Sequence, residues 1–180
     1  MIASRSDRPA ENPDFEIRLA GPDDAEAIRA IYNLEVVEST VSFDLVPRSA
    51  EAQQAWLDEH AGVHPAIVVT EGGPADDPVV VGFGCLSPYR SRPAYSTTVE
   101  NSIYVRRDRQ GRGYGRALLE ELLRLGTVHG FHAVMARIVD GHQASIALHR
   151  SCDFEIVGVE REVGRKFGRW LDVVLMERLL

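Results

Sequence analysis

Apolar and polar positions recur along this chain in blocks that name its elements. EIRLA (16–20) reads as a short strand. GPDD (21–24) follows with turn and capping chemistry. Ala27, Ile28, Ile31, Leu34 and Glu35 then recur at helical spacing, which predicts a helix over roughly 22–37. SAEAQQAWLDEH (49–60) predicts a second helix, capped by Ser49. AIVVT (66–70), VVVGFGCLS (79–87) and TTVENSIYV (97–105) are three β-rich runs, the first two joined by a turn at GGPADDP (72–78). After QGRGYG (110–115), Ala117, Leu118, Leu122 and Leu125 mark an amphipathic helix reaching about 129. AVMARIV (133–139) reads as a strand and ASIALHRSC (144–152) as a short helix. FEIVGVEREVG (154–164) and RWLDVVLMERLL (169–180) read as a closing antiparallel pair. The order β-α-α-β-β-β-α-β-α-β-β predicts one α+β domain with a mixed sheet over residues 15–180. Residues 1–14, nearly without apolar side chains, are expected to form a disordered tail.

Composition narrows the classes of function. The chain has 180 residues, of which 44% are hydrophobic and 26% charged, enough for one sizeable core. No run approaches the roughly 20 apolar residues of a spanning helix, and no apolar stretch follows the charged first ten residues, so neither a membrane protein nor a secreted one is expected. The net charge of −7 disfavours nucleic acid and anionic membranes as general partners. Two cysteines, Cys85 and Cys152, fit a reducing cytoplasm, each as a small buried apolar residue. His60, His64, His129 and His132 invite a metal, but nothing around them supplies further ligands at a known spacing, so no metal is expected.

The segment 97–129 is the richest in chemistry. Gly111, Gly113 and Gly115 let backbone N–H groups converge without Cβ obstruction, and they open a helix whose N-terminus favours anions. The dinucleotide-binding pattern requires a glycine where Arg116 stands, and the Gly-Lys-Ser/Thr of a P-loop is absent. Arg106, Arg107, Arg109, Arg112 and Arg116 cluster on the same loop and suit bidentate phosphate contact, of which one or two are expected to touch a ligand.

Gln110-x-x-Gly113-x-Gly115, after a strand ending at Val105, resembles the acetyl-CoA pyrophosphate loop of the GCN5-related N-acetyltransferases (GNAT). TVENSIYV (98–105), YRSRPAY (89–95), SIALH (145–149) and GRWLDV (168–173), with IYN (31–33) and STVSF (39–43), are similar to the bacterial phosphinothricin and methionine sulfoximine acetyltransferases. The resemblance runs from about 16 to 180. It implies a central mixed, mostly antiparallel sheet flanked by about four helices, and acetyl-CoA as co-substrate. It also implies a homodimer and a small amino-acid analogue as the amine acceptor: phosphinothricin, methionine sulfoximine or methionine sulfone. Arg90, Ser91, Arg92, Glu100, Asn101 and Ser102 would line the acceptor site. Ile103, Tyr104 and Val105 would present backbone to the pantetheine arm; Gly111, Arg112, Gly113, Tyr114, Gly115 and Arg116 would hold the pyrophosphate; His142 and Ser145 would contact CoA. The chain departs from the family at His142, where Asn is usual, and at Asp153, where Gly is usual.

An ammonium must lose a proton before it can attack a thioester. Glu100, mid-strand, is the candidate general base if a desolvated pocket raises its pKa. The Val105 N–H is the candidate donor to the developing oxyanion. His149 stands where many relatives carry Tyr; it is either the acid that protonates the departing thiolate, a second base, or a helix histidine satisfied by a carbonyl. Arg90 and Arg92 suit a carboxylate or phosphinate. Tyr32, Phe43, Tyr89 and Trp170 could wall the pocket. The rival readings are acetylation of a protein N-terminus or polyamine, and a catalytically silent acyl-CoA sensor, which would lack the base.

Overall fold

A computed structural model describes residues 15–72 and 78–180. The tail at 1–14 and most of the turn expected at 72–78 lie outside the described residues. The remaining elements fall within a few residues of their expected bounds. β1 (Phe15–Leu19) passes through a short helical turn at Pro22–Asp24 into α1 (Ala25–Glu38). α2 (Ala50–Glu59), β2 (Ala66–Glu71), β3 (Val79–Pro88) and β4 (Thr98–Val105) follow. Then come α3 (Tyr114–Val128), β5 (Ala133–Val139), α4 (Gln143–Arg150), β6 (Glu155–Lys166) and β7 (Arg169–Leu179).

Local chemistry accounts for the boundaries. The Ser49 hydroxyl caps α2 by accepting from the Ala52 N–H at 3.1 Å. Asp24 accepts from the Gly21 N–H at 2.8 Å and takes both arms of Arg18, at 2.7 and 2.8 Å, tying the start of α1 to β1. After α4 the chain turns at Asp153 with φ 63°. That is a left-handed position, which Asp tolerates better than most residues. The β6–β7 hairpin turns through Phe167 and Gly168, both at positive φ, as a two-residue primed turn requires.

The seven strands form one sheet in the order β1-β2-β3-β4-β5-β7-β6. Every neighbouring pair is antiparallel except β4 and β5. One face packs Leu118, Leu119, Leu122 and Leu123 of α3 on Val99, Val134, Ile138 and Met176. Those leucines recur at i, i+1, i+4 and i+5, the stripe of a helix lying on a sheet. The other face packs Ile28, Ile31, Tyr32 and Val36 of α1, with Leu57 of α2, on Val68, Val80 and Phe83. This is the α+β architecture expected from the element order.

Candidate active site

The site begins where the sheet opens. β4 and β5 pair through only three residues, Thr98 to Glu100 with Ala133 to Met135. β4 then stays on β3 through Val105 opposite Gly82 while β5 diverges. The Arg106 N–H reaches the Val81 carbonyl at 2.9 Å. Strand alternation therefore turns the backbone groups of Asn101, Ile103 and Val105 away from β3 and into the opening. The Gln110 side chain donates to the Val105 carbonyl at 3.3 Å, leaving the Val105 N–H as a donor into the gap. A cavity of about 610 Å³ fills the opening, lined by both strands, the α3 N-terminus, α4 and the end of α1.

The glycine loop forms the first wall. Gly111 has φ 76° and Gly113 φ 90°, and a Cβ at either would meet nothing within 4 Å. The loop thus takes a left-handed path that glycine permits, with open space before it. Gly113 caps α3 without a side-chain bond to the first turn, so the helix presents unengaged N–H groups there. Gly115 has a different role: its Cβ would stand 3.3 Å from Leu148, where α3 approaches α4. The residues fit the phosphates of acetyl-CoA through backbone more than through the arginine cluster. Arg106 is held by Asp108 at 3.0 Å and Arg116 by Glu120 at 2.8 Å. Arg107 reaches Glu35 and Glu38 of α1 at 2.8 and 2.6 Å, while Arg109 takes Glu71 and Asp108, both at 2.8 Å. Arg112 is the most loosely held, 3.6 Å from Glu71. Tyr114 turns its hydroxyl away, onto Glu71, and its ring edge onto Phe15.

The second wall is α4. His142 stands at its N-cap, and Ser145 and Leu148 face the cavity. His149 is buried, with Nδ1 2.8 Å from the Ser145 carbonyl and Nε2 3.1 Å from Asn101 Oδ1. The Asn101 amide nitrogen donates to the Met135 carbonyl at 3.0 Å, the first acceptor left over where β5 diverges. Both ring nitrogens of His149 thus face acceptors. Burial pushes its pKa down, and the Ser145 carbonyl opposes that. Asn101, grouped with the acceptor residues on sequence, stands on the opposite face of β4 from Glu100 and Ser102 and braces α4.

The third wall lies across the sheet. Glu100, Ser102 and Tyr104 share the α1 face of β4, opposite Ser87, Cys85 and Phe83 of β3. Tyr104 stacks on Phe83 and meets the Tyr32 ring edge-on. Burial pushes the Glu100 pKa up; Arg137 partly offsets it and Glu160 adds to it. The Glu100 carboxylate has no hydrogen-bond partner among the described residues; Glu100 itself is not among the residues that line the cavity, whereas Ser102 and Arg137 are. Burial also raises the Cys85 thiol to about 11, so this cysteine stays a neutral core residue.

Some residues singled out on sequence lie elsewhere. Arg90, Ser91 and Arg92 are exposed and share a separate surface depression with Tyr95, and the Arg90 guanidinium lies over the Tyr89 ring. Tyr32, Phe43, Tyr89 and Trp170 are absent from the cavity wall. Glu35, Ser39, Val41 and Arg137 line it instead, beside Arg107 of the arginine cluster. For Arg137 a signal was available, a lone charge inside the apolar run AVMARIV. Glu35, Ser39 and Val41 meet the site by tertiary packing. Among the described residues, no group of three or more His, Cys, Asp or Glu side chains could hold a metal ion.

Known proteins resemble the chain over most of its length. Residues 28–154 match the acetyltransferase (GNAT) family, and the chain belongs to it. The L-methionine sulfoximine/L-methionine sulfone acetyltransferase of Pseudomonas aeruginosa is 38% identical over 161 residues, 89% of this chain and 92% of its own. The phosphinothricin N-acetyltransferase of Streptomyces coelicolor is 36% identical over 169 residues, 93% and 97% of the two chains. A phosphinothricin acetyltransferase from Sinorhizobium meliloti, solved in complex with acetyl-CoA, superposes with a TM-score of 0.87 at 34% identity, covering 93% of this chain and 89% of that one. The chain is an N-acetyltransferase that uses acetyl-CoA as its acetyl donor.

Proposed function

We propose that the protein N-acetylates the amino group of a small amino-acid analogue, with phosphinothricin, methionine sulfoximine and methionine sulfone as the acceptor class. The observation that carries the reading is the open strand pair. One edge of β4 offers unpaired backbone to a pantetheine arm, and the doubly paired start of the same strand carries a half-buried carboxylate with no hydrogen-bond partner among the described residues. The two relatives named for these acceptors support the class.

When bound, acetyl-CoA supplies an acetyl group activated as a thioester. Ile103, Tyr104 and Val105, the loop from Gly111 to Arg116, and His142 with Ser145 are the residues that would hold it. Glu100 takes the proton from the acceptor ammonium, directly or through one water. Its raised pKa makes it a stronger base than an exposed glutamate. The Val105 N–H donates to the oxygen charge that builds up as an amine adds to a carbonyl. His149, held between the Ser145 carbonyl and Asn101, orders α4 against β4 in this arrangement. A homodimer accompanies the reading, and the exposed Ile156, Val157, Val159, Val163 and Trp170 on β6 and β7 are an apolar surface that pairing would cover. A cytoplasmic setting is consistent with two free cysteines.

Thiol release from acetyl-CoA, measured against the three analogues, a polyamine and a peptide N-terminus, tests the proposal. Turnover concentrated on the analogues supports it. Turnover on the polyamine or peptide alone refutes the acceptor class, and acetyl-CoA binding without turnover on any amine points to a sensor.

A further inference from the structure

We propose that Glu71 is a positioning residue for acetyl-CoA: its carboxylate staples the glycine loop to the sheet and holds it in the shape that receives the phosphates. The inference rests on the use of acetyl-CoA and not on the identity of the acceptor. Its first support is where Glu71 stands. It is the last residue of β2, and it is not among the residues that line the cavity. Its carboxylate nevertheless meets three residues of the loop segment. One oxygen accepts from Arg109 Nε at 2.8 Å, and the other accepts from the Tyr114 hydroxyl and lies 3.6 Å from Arg112 Nη1. Arg109 precedes Gly111, Arg112 separates it from Gly113, and Tyr114 follows Gly113. One carboxylate thus ties the chain on both sides of each glycine. Arg109 and Tyr114 are themselves part of the cavity wall.

The second support is how little else fixes the loop. A Cβ at Gly111 or Gly113 would meet nothing within 4 Å, so packing does not set their path. Gly113 caps α3 without a side-chain hydrogen bond. The Gln110 side chain, on the Val105 carbonyl, ties only the start of the loop. Glycine loses more conformational freedom on ordering than any other residue, and this loop holds two of them at positive φ. A ligand that meets such a loop already ordered is spared that cost, which is the gain from preorganisation.

The third support is the setting of the staple. Glu71 and Arg109 are half-buried, and Tyr114 is buried with its ring edge on Phe15 of β1. The Tyr114 hydroxyl, with Arg109 and Arg112, holds the Glu71 carboxyl below the ordinary glutamate value, so it stays ionised at neutral pH. Glu71 and Asp108 together face Arg106, Arg109 and Arg112, so the carboxylate orders the loop and still leaves it positive. The Arg116–Glu120 pair differs: it is exposed and joins one turn of α3 to the next.

The test compares the affinity for acetyl-CoA, by calorimetry, with that for S-acetylpantetheine, by competition. The second ligand carries the same thioester arm without phosphates. In Glu71→Ala, acetyl-CoA affinity should fall about tenfold, the worth of ordering one or two long side chains, while S-acetylpantetheine affinity should change by less than about twofold. Glu71→Gln should fall between wild type and Glu71→Ala, since an amide oxygen still accepts from Tyr114 but does not pair with the arginines. Tyr114→Phe should weaken acetyl-CoA alone, and by less than Glu71→Ala. Combined with Glu71→Ala it should add little, because both changes remove the same staple. Equal losses on the two ligands would show a merely structural role and overturn the inference. Unchanged acetyl-CoA affinity in Glu71→Ala, or fully additive losses in the double variant, would overturn it too. If Glu71→Ala does not fold, Glu71→Gln and Tyr114→Phe carry the same comparison of ligands. An acceptor outside the class proposed above would leave these affinities, and this inference, untouched.

Discussion

The two halves of β4 were built from similar residues and serve different ends. Thr98 to Glu100 is paired on both edges, with β3 and with β5. Asn101 to Val105 is paired on one edge only. In the first half the sheet is continuous, and a carboxylate placed there is desolvated without being neutralised. In the second half the missing ladder leaves backbone donors and acceptors for a ligand, because buried peptide groups must find partners from somewhere. One strand thus carries both a desolvated carboxylate and an unpaired edge, and the point where β5 diverges separates them.

Removing the carboxylate from the doubly paired half should produce the largest effect. Glu100→Gln should lower kcat by ~10²–10⁴, the usual worth of a positioned general base. Activity should be partly recovered at high pH, where free amine becomes abundant. Because burial raises the Glu100 pKa, the ascending limb of wild-type kcat should lie above the ordinary glutamate range, and Glu100→Gln should lack it. The same shift acts on stability with the opposite sign to function. A carboxyl with a raised pKa favours the fold while protonated and costs stability once pH climbs through that raised value. Glu100→Gln should therefore melt at a higher temperature than wild type at neutral pH, with the gap closing below the usual carboxylate range. A lower melting temperature at neutral pH would contradict the desolvated placement.

At the junction of the halves, Asn101→Leu should cost about 1–3 kcal/mol of stability, since it orphans the Met135 carbonyl and one nitrogen of His149. Denaturant melts give the cost, and the acceptor KM should move less than that of acetyl-CoA. His149→Ala should likewise show no high-pH rescue; if it does, His149 and Glu100 exchange roles. In the open half, Gly113→Val should strain the backbone by about 1–2 kcal/mol, because its φ of 90° suits glycine. It should also place methyl groups before the α3 N-terminus and lower acetyl-CoA affinity roughly tenfold or more. Unchanged affinity by calorimetry in a folded variant would remove the phosphate cradle. The smallest effect is expected from Arg116→Gln. It loses an exposed i, i+4 pair with Glu120, worth well under about 1 kcal/mol, and acetyl-CoA affinity should fall only slightly.

Periodicity made the elements readable because each strand or helix had one face to bury. The leucine stripe of α3 and the Ser49 cap needed no tertiary information, and neither did the glycine loop, whose conformation is set by residues that lack a Cβ. Glu100 could be named only through the resemblance to the acetyltransferases, because an alternating strand also carries charge at solvent-facing positions. The face it shares with Ser102 and Tyr104 followed from strand alternation. Arg90 and Arg92 rested on the same resemblance, and composition does not say whether a basic loop faces a cleft or solvent.

What the chain determined by itself was local: the order and type of its elements, the left-handed glycine loop at a helix start, and the presence of a carboxylate and an arginine inside two apolar strands. Only the tertiary structure decided where β4 and β5 part. That depends on how α3 and α4 pack across the sheet, and no short stretch of sequence encodes it. The same packing brought Asn101 onto His149 over 48 residues of chain and Arg107 onto Glu35 over 72. It also set Arg137 beside Glu160 over 23. Side-chain partnerships at such separations are set by the sum of all packing contacts, so the partner of each arginine became visible only in the folded chain.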